Sequence, residues 1–225
     1  MNCIDVSEWN GDIDWKQVKQ SGVDYTMIRC GFGTSGKDKY FEINLEGAAE
    51  AGVIIGVYFY SYAADYDSAV NEANHCIDLI ENYKDIIKLP VFYDVEEEKN
   101  KKRIVDVCMG FINTMNYYGY NCGIYTPVSW YNSYFKDIST DYIWLAYLGN
   151  TKPEWCDIWQ NNFEGSIDGI NGNVDLDELY NKDMQLLINP PKPDNEIITD
   201  SFKGQVVLSH RGNEIIQITI KKMEE

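Results

Sequence analysis

Short apolar runs alternate with segments of helical spacing through the first half of this chain. Val53–Tyr60 and Leu89–Asp94 are rich in β-branched and aromatic residues and are bounded by Gly or charged residues, which is typical of buried strands. Phe41–Ala51 and Ile104–Tyr118 instead repeat apolar residues at the spacing of one helix face. Strands that alternate with helices predict βαβ units and a parallel sheet.

The number of strand candidates favours a closed barrel over an open sheet. A full barrel of eight strands and eight helices typically needs about 250 residues, and the chain has 225. The later helices must therefore be short or missing, and we expect an α/β fold, a TIM-like β/α barrel with reduced later helices, over residues 1–188. The strand candidates are Cys3–Val6, Asp24–Gly31, Val53–Tyr60, Leu89–Asp94, Gly123–Tyr125, Tyr142–Ala146, Cys156–Gln160 and Gly172–Asp175.

A proline-rich segment, residues 189–195, is a linker by composition. Beyond it, Gly204–Leu208 and Ile215–Ile220 flank the turn signal His210–Asn213, which predicts a short C-terminal β-hairpin tail over residues 196–225. About 30 residues are too few for an independent core, so we expect the tail to contact the barrel or a second copy of the chain. Self-association through this hairpin is the resulting hypothesis.

The composition excludes several partners and cofactors. A formal net charge of −17 disfavours nonspecific binding to nucleic acid, and no apolar run approaches the ~20 residues that span a membrane. The six cysteines are widely spaced, without the pairs of a zinc site, so we expect buried free thiols and neither a metal nor another cofactor. The N-terminus shows no secretory signal, and we expect synthesis in the cytoplasm without a signal peptide.

Acidic residues at the end of the strand Leu89–Asp94 give the first chemical signal. Asp94 and Glu96 are two residues apart, so on a strand they point to the same face. Two carboxylates held close and partly out of water cannot both keep ordinary pKa values, and one tends to keep a proton, which acid-catalysed bond cleavage requires. The alternative is a strand that runs into a solvated acidic loop, and we interpret Glu97 and Glu98 in that way, with Glu97 on the opposite face.

Other strand candidates carry residues suited to the same site. In a β/α barrel the chemistry lies at the carboxyl ends of the strands, where Asp5, Gln160 and Asp175 stand in this sequence. Histidine chemistry is poorly supported, because His75 and His210 lie away from strand ends. Carboxylate chemistry without a metal remains, and glycoside hydrolysis is the leading reaction of that kind. Three aromatic residues near strand ends are candidates for stacking on sugars, with core packing as the alternative: Tyr60, Tyr125 and Trp144.

Six short motifs follow one another in the order and spacing of a known enzyme family: Ile4–Gly11, Gly56–Tyr60, Tyr93–Glu96, Trp144–Tyr147, Ile158–Gln160 and Ile170–Asp177. On these residues the chain resembles glycoside hydrolase family 25, the muramidases of bacteria, phages and some fungi. The resemblance covers roughly residues 4–188. It implies an irregular, flattened β/α barrel that hydrolyses the β-1,4 bond between N-acetylmuramic acid and N-acetylglucosamine in peptidoglycan.

The resemblance also implies a role for each site residue. Glu96 would be the acid/base that protonates the leaving oxygen, and Asp94 would orient or stabilise the acetamido group of the substrate. Asp5 would join them as a third catalytic acid on the floor of the site. Whether the acetamido group or a water molecule attacks the anomeric carbon stays open, because the outcome depends on the separation of the carboxylates. The substrate-binding residues would be Asp175, Tyr60, Tyr125, Trp144 and Gln160.

The sequence departs from the family pattern at a few positions. Asp177 stands where Asn is common, and the C-terminal hairpin differs from the usual repeats that bind cell walls. Because no secretory signal is visible, the resemblance implies an enzyme that reaches the bacterial cell wall after phage or prophage lysis. A sporulation or cytosolic enzyme is the alternative.

Two rival functions remain. A non-catalytic protein that binds cell-wall glycan on the same barrel would be marked by loss of the site acids, and all of them are present. A chitinase-like hydrolase would carry the longer run Asp-x-x-Asp-x-Asp-x-Glu, whereas Leu89 and Phe92 occupy its earlier acid positions here.

Overall fold

The computed structural model describes residues 2–135, 138–181 and 184, together with the backbone of four short strands between residues 206 and 220. The chain divides into two compact units, Met1–Pro191 and Lys192–Glu225. The predicted linker, residues 189–195, lies outside the described residues.

Within the described part of the first unit, one sheet contains nine strands. Most of them confirm a predicted strand to within a few residues at each end. The short third strand is not among the strands predicted from the sequence. The strands are β1 (Asn2–Val6), β2 (Tyr25–Phe32), β3 (Gly36–Lys37), β4 (Ile54–Tyr60), β5 (Ile87–Asp94), β6 (Cys122–Pro127), β7 (Tyr142–Ala146), β8 (Ile158–Gly165) and β9 (Val174–Leu179).

The sheet closes into a barrel because β1 pairs with both β2 and β9. Eight strands form the barrel, and β3 is an antiparallel addition to the end of β2. The neighbouring pairs from β2–β4 to β7–β8 are parallel, as predicted. The prediction of a parallel sheet is wrong for β9, which is antiparallel to β8 and β1. The link from Gly165 to Val174 is too short for the crossover of a dozen or more residues that a parallel pair needs.

Helices accompany the early strands and become scarce later, which confirms the expected barrel with reduced later helices. The β6–β7 connection holds one helix of seven residues, and the described residues between β7, β8 and β9 form no helix. Local signals set the helix ends: Asp14 accepts backbone N–H groups at the start of the first helix, and Gly52 takes a left-handed conformation after the second. The helices are α1 (Trp15–Gln20), α2 (Phe41–Ala51), α3 (Tyr66–Ile80), α4 (Ile104–Tyr117) and α5 (Val128–Tyr134).

Side chains on each barrel strand alternate between two cores, and this alternation decides which residues can reach the barrel mouth. Val57 and Phe59 of β4 lie in the core between sheet and helices, whereas Tyr58 lies in the core inside the barrel. On β5, Phe92 likewise points inward. Because the period of a strand is two, Tyr60 and Asp94 continue the inward rows at the carboxyl ends of β4 and β5.

The second unit contains four strands of two residues in its described part. Val206–Val207 pairs with Thr219–Ile220, and His210–Arg211 pairs with Glu214–Ile215, both antiparallel. The two pairs are nested as in a β-hairpin. His210–Arg211, predicted as part of the turn, instead forms a strand. Self-association through this hairpin stays a prediction.

Candidate active site

A cavity of about 320 Å³ opens at the carboxyl ends of the parallel barrel strands. Every site residue predicted from the sequence lines it. The acids come from β1, β5, β9 and the segment after β5, and the other groups come from β4, β6, β7 and β8. The predicted residues in this lining are Asp5, Asp94, Glu96, Asp175, Tyr60, Tyr125, Trp144 and Gln160.

Asp5 and Asp175 enter the cavity from neighbouring antiparallel strands. They are paired directly across β1 and β9. Asp175 therefore lies at the start of β9, and the prediction that it ends a strand is wrong. It still reaches the site, because the start of an antiparallel strand lies beside the carboxyl ends of its neighbours. Burial and the neighbouring charge of Asp175 raise the pKa of Asp5 to about 8, and burial raises the pKa of Asp175 to about 6.

Asp94 is the last residue of β5 and only 4% of its surface is exposed. Its Oδ1 has no hydrogen-bond partner among the described residues. Burial, and then the charges of Glu96 and Asp5, raise its pKa well above the ordinary range. Glu96 is half-buried, and burial followed by the charge of Glu97 raises its pKa as well. Both carboxyls are therefore held toward the protonated form.

Tyr125 and Gln160 form a hydrogen-bonded chain that ends on Asp5. The Tyr125 hydroxyl donates to Gln160 Oε1 over 2.7 Å, and Gln160 Nε2 donates to Asp5 Oδ2 over 2.7 Å. Both residues are buried. The chain fixes the amide orientation of Gln160, so that its nitrogen faces the carboxyl of Asp5.

Trp144 lies beneath the cavity rather than at its rim. Its surface is 1% exposed, and its ring makes edge contacts with Tyr58, Phe92 and Tyr125. The predicted sugar stacking on Trp144 is corrected for this reason, since a ring that is 1% exposed is packed in the core. Its polar contact is a hydrogen bond from Nε1 to Asp177 Oδ1 over 2.8 Å.

Glu97 also differs from its prediction as a solvated residue on the opposite face. It is half-buried, and its Oε1 accepts a hydrogen bond of 2.9 Å from the hydroxyl of Tyr60. The alternation of a strand does not extend past Asp94, because β5 ends there and the chain turns. The backbone N–H of Glu97 donates to Asn100 Oδ1 in that turn. Glu98 is exposed and forms an ion pair with Lys101, in agreement with its solvated interpretation.

The cavity lining includes two notable residues that were not predicted from the sequence, Arg29 and Trp9. Arg29 is buried in β2, where Nε donates to Asp38 over 2.8 Å and an Nη nitrogen donates to Glu8 over 3.0 Å. Its charge acts against the burial and the neighbouring carboxylates that raise the pKa of Asp94. The sequence offered one signal for Arg29: it is the only charged residue inside the apolar strand β2. A charged side chain that is buried is paired or functional, so this position could have been singled out.

Trp9 lies in a short 3₁₀ helix, Glu8–Asn10, directly after β1. Its side chain lines the cavity and is 83% exposed. The turn is fixed by Ser7, whose hydroxyl accepts the backbone N–H of Trp9, and by Asn10, which accepts the N–H of Ser7. A large exposed indole on a fixed turn beside a cavity is a surface on which a flat ligand can stack.

Other expectations of the sequence analysis concern cysteines, metals and membranes. The six cysteines are buried free thiols, as predicted. The described residues contain no group of three or more His, Cys, Asp or Glu side chains arranged to hold a metal ion. No helix in the described part of the chain has the length and apolar character needed to span a membrane.

Comparison with known proteins identifies relatives over most of the chain. The family profile Glycosyl hydrolases family 25 matches residues 4–170. The Autolytic lysozyme of Clostridium acetobutylicum is 28% identical, in an alignment that covers 96% of this chain and 68% of the relative.

Solved structures agree with that match. The modular autolysin LytC from Streptococcus pneumoniae, in complex with synthetic peptidoglycan ligand, superimposes with a TM-score of 0.68 at 28% identity. That match covers 80% of this chain and 46% of the autolysin, so the chain spans less than half of that protein. The catalytic domain of endolysin ply40, from bacteriophage P40 of Listeria monocytogenes, shares the fold with a TM-score of 0.75 at 24% identity, over 84% of this chain and 96% of that domain.

Proposed function

Because this chain belongs to glycosyl hydrolase family 25 and is a glycosidase of the lysozyme type, we propose that it cleaves the β-1,4 bond between N-acetylmuramic acid and N-acetylglucosamine in peptidoglycan. One observation carries the proposal: four carboxyls from three separate parts of the chain, Asp5, Asp94 with Glu96, and Asp175, line one cavity. The peptidoglycan ligand of the related pneumococcal autolysin supports the substrate class.

Glu96 is the general acid of the proposed reaction. A proton donor at neutral pH needs a pKa above that of an ordinary glutamate. Burial, with the charges of Glu97 and Asp175, supplies that shift. Its side chain is half-buried at the cavity, so it can meet a leaving oxygen there. In the proposed reaction the proton passes from Glu96 to the glycosidic oxygen as that bond breaks.

Asp94 acts on the other side of the reacting bond in this proposal. Its Oδ1 has no hydrogen-bond partner among the described residues, and an N-acetyl sugar carries an amide N–H that such an oxygen can accept. An acceptor fixed by a rigid strand holds the acetamido group near the anomeric carbon. In the fraction of molecules in which Asp94 is ionised, its carboxylate stabilises the positive charge that develops on the sugar in the transition state.

Asp5 and Asp175 form the floor of the site, and Tyr60 and Trp9 form its aromatic rim. With a pKa of about 6, Asp175 is mostly ionised at neutral pH, and its negative charge beneath a developing oxocarbenium ion favours the transition state over the neutral substrate. The exposed ring of Trp9 offers a sugar a stacking face that the buried ring of Trp144 cannot. We therefore assign sugar stacking to Trp9 and not to Trp144.

Mass spectrometry of the fragments released from purified peptidoglycan tests this function. Cleavage at the proposed bond releases disaccharide-peptides that carry N-acetylmuramic acid at the new reducing end. Fragments with N-acetylglucosamine at the reducing end would refute the bond assignment, and binding without released fragments would favour the non-catalytic alternative. A parallel digest of chitin oligomers separates the chitinase-like alternative. Release during phage or prophage lysis stays a prediction.

A further inference from the structure

Glu96, the proposed proton donor, lies in the segment that follows β5 and not on a strand. No described residue donates a hydrogen bond to its carboxyl. Asp5, by comparison, is held by the hydrogen bond from Gln160. The position of the Glu96 carboxyl at the cavity is therefore set by the backbone that carries it.

The residue before Glu96 is bound to β6. The backbone N–H of Val95 donates to the carbonyl oxygen of Tyr125 over 3.0 Å. The carbonyl oxygen of Val95 accepts a hydrogen bond of 2.8 Å from the hydroxyl of Thr126, which is fully buried on β6. Both polar groups of this peptide backbone are bound, so the chain has a fixed direction where it enters Glu96.

The residue after Glu96 is bound to Asn100. The backbone N–H of Glu97 donates to Asn100 Oδ1 over 2.8 Å, and the backbone N–H of Asn100 donates to the carbonyl oxygen of Glu97 over 2.8 Å. Asn100 Nδ2 reaches the segment after β4, where it donates to the carbonyl oxygen of Ala63 over 2.7 Å and to Ser61 Oγ over 3.1 Å. Asn100 is fully buried. One side chain thus joins the turn after Glu96 to the neighbouring loop.

The loop that Asn100 contacts is itself anchored to the barrel. The hydroxyl of Ser61 donates to the hydroxyl of Tyr93 over 2.8 Å, and the hydroxyl of Tyr93 donates to Glu72 Oε2 over 2.6 Å. Glu72 is buried on α3, and its Oε1 accepts the backbone N–H of Tyr62 over 2.8 Å. Asn100 therefore binds a support that a strand and a helix hold in place.

We propose that Asn100 and Thr126 are positioning residues for the reaction, because they hold the backbone on the two sides of Glu96 and thereby fix its carboxyl at the cavity. This inference rests on the proposed function. Neither residue belongs to the described cavity lining, so both act through Glu96 and not on the sugar. A displacement of about 1 Å in a reacting group can cost on the order of 100-fold in rate, which gives these buried contacts a large effect on catalysis.

Displacement of Glu96 would change its ionisation as well as its reach. Burial is the largest cause that raises the pKa of Glu96, followed by the charges of Glu97 and Asp175. Each cause depends on where the carboxyl lies, so a loosened segment lowers this pKa and the proton donor ionises at lower pH. Replacement of Asn100 or Thr126 removes no titratable group around Glu96. The titratable and charged groups there are Asp5, Arg29, Tyr60, Asp94, Glu97, Tyr125 and Asp175.

The test compares Thr126→Val, Thr126→Ser and Asn100→Ala with the wild-type chain on purified peptidoglycan across the pH range. Valine keeps the shape of threonine without the hydroxyl, whereas serine keeps the hydroxyl. We expect Thr126→Val and Asn100→Ala to lower kcat at least about tenfold and to move the alkaline limb of the pH–rate profile to lower pH. Thr126→Ser should keep kcat within about threefold of wild type and leave the limb in place, since the hydrogen bond to Val95 remains.

Thr26→Val and Asn44→Ala are the matched controls. Both side chains are buried, and their polar atoms have no hydrogen-bond partner in the described part of the chain. A substitution that only lowers the folded fraction reduces the rate without moving the limb, so the limb separates positioning from stability. We expect both controls to leave it in place.

An unmoved limb in a folded Thr126→Val or a folded Asn100→Ala would overturn the proposal, and if one of them does not fold, the other decides. An equal shift in Thr126→Ser or in the two controls would overturn it as well, because the shift would then not depend on the hydrogen bonds beside Glu96. A wild-type chain that releases no fragments would instead refute the proposed function.

Discussion

Asp5 and Asp175 are paired directly across β1 and β9, so two carboxyls occupy one short antiparallel contact at the floor of the cavity. Neighbouring like charges in a buried site raise each other's pKa. Burial is the largest cause that raises the pKa of Asp5 to about 8, and the charge of Asp175 is the next largest. The floor of the site therefore changes charge within the physiological pH range. Activity and stability should both depend on pH for this reason.

Glu96→Gln should lower kcat by at least about 100-fold, because glutamine cannot donate the proton that general acid catalysis requires. The rate of release of reducing ends from purified peptidoglycan measures this change. Glu98→Gln is the matched control: Glu98 is exposed, stands two residues further on, and should leave the rate unchanged. Near-normal activity of the Glu96 variant would remove Glu96 from its role.

Glu97→Gln should move the alkaline limb of the pH–rate profile to lower pH. The charge of Glu97 is, after burial, the next cause that raises the pKa of Glu96. Removal of that charge lowers the pKa of the proton donor, so Glu96 ionises earlier as pH rises and activity declines earlier. Tyr60→Phe is the comparison, because it removes the hydrogen bond to Glu97 and keeps the charge. An unmoved or upward-shifted limb in the glutamine variant would contradict this account.

Trp9→Ala should raise KM roughly two- to tenfold and change kcat little, because a stacked aromatic contact contributes about 0.5–1.5 kcal/mol to binding. Soluble peptidoglycan fragments of defined length provide the substrate for this measurement. Trp155→Ala is the matched control, since Trp155 is 72% exposed and is not part of the described cavity lining. An equal KM change in both variants would mean that the effect comes from general loss of surface aromatics.

Asp94→Asn should stabilise the fold at neutral and alkaline pH while abolishing most activity. The pKa of Asp94 is raised well above its unfolded value of about 3.9. A raised carboxyl pKa contributes stability that is fully present below the unfolded pKa and is lost as pH rises through the folded pKa. The wild-type Tm should therefore fall from pH 5 to pH 8, and asparagine, which cannot ionise, should reduce that fall.

Thermal unfolding followed by circular dichroism at these two pH values measures the effect. Each kcal/mol gained corresponds to about 2–4 °C in Tm for a chain of this size. Asp24→Asn is the control, because Asp24 is an exposed carboxylate paired with Lys19. Its offset from wild type should be similar at both pH values. A lower Tm for Asp94→Asn at pH 8 would show that the buried charge is not the destabilising feature.

Side-chain positions could be predicted from the sequence where the alternation of residues along a strand decides which way a side chain points. Tyr60 and Asp94 could be placed at the barrel mouth because each continues an inward row of its strand. The prediction failed where tertiary contacts decide. From the sequence, Trp144 could lie either at the rim of the cavity or in the core of the barrel. Its ring contacts with Tyr58, Phe92 and Tyr125, which the sequence does not show, place it in the core.

Strand direction and loop geometry were the other sources of error. The antiparallel course of β9 depends on the short link after Gly165. The predicted strand ended at Gln160, which made this link look longer than it is. Glu97 stands in a turn, where alternation no longer indicates a face. Arg29 left a visible signal as a charge inside an apolar run, but its partners Glu8 and Asp38 are distant in sequence.

The pairing of β1 with β9 has a consequence for the time course of synthesis. It joins Asp5, near the start of the chain, to Asp175, which is translated some 170 residues later. A barrel closed by its two ends cannot assemble while the second end is still within the ribosome. The nascent enzyme therefore lacks the complete floor of its site until nearly the whole barrel has been made, and a chain cut short before β9 keeps only Asp5 of that floor.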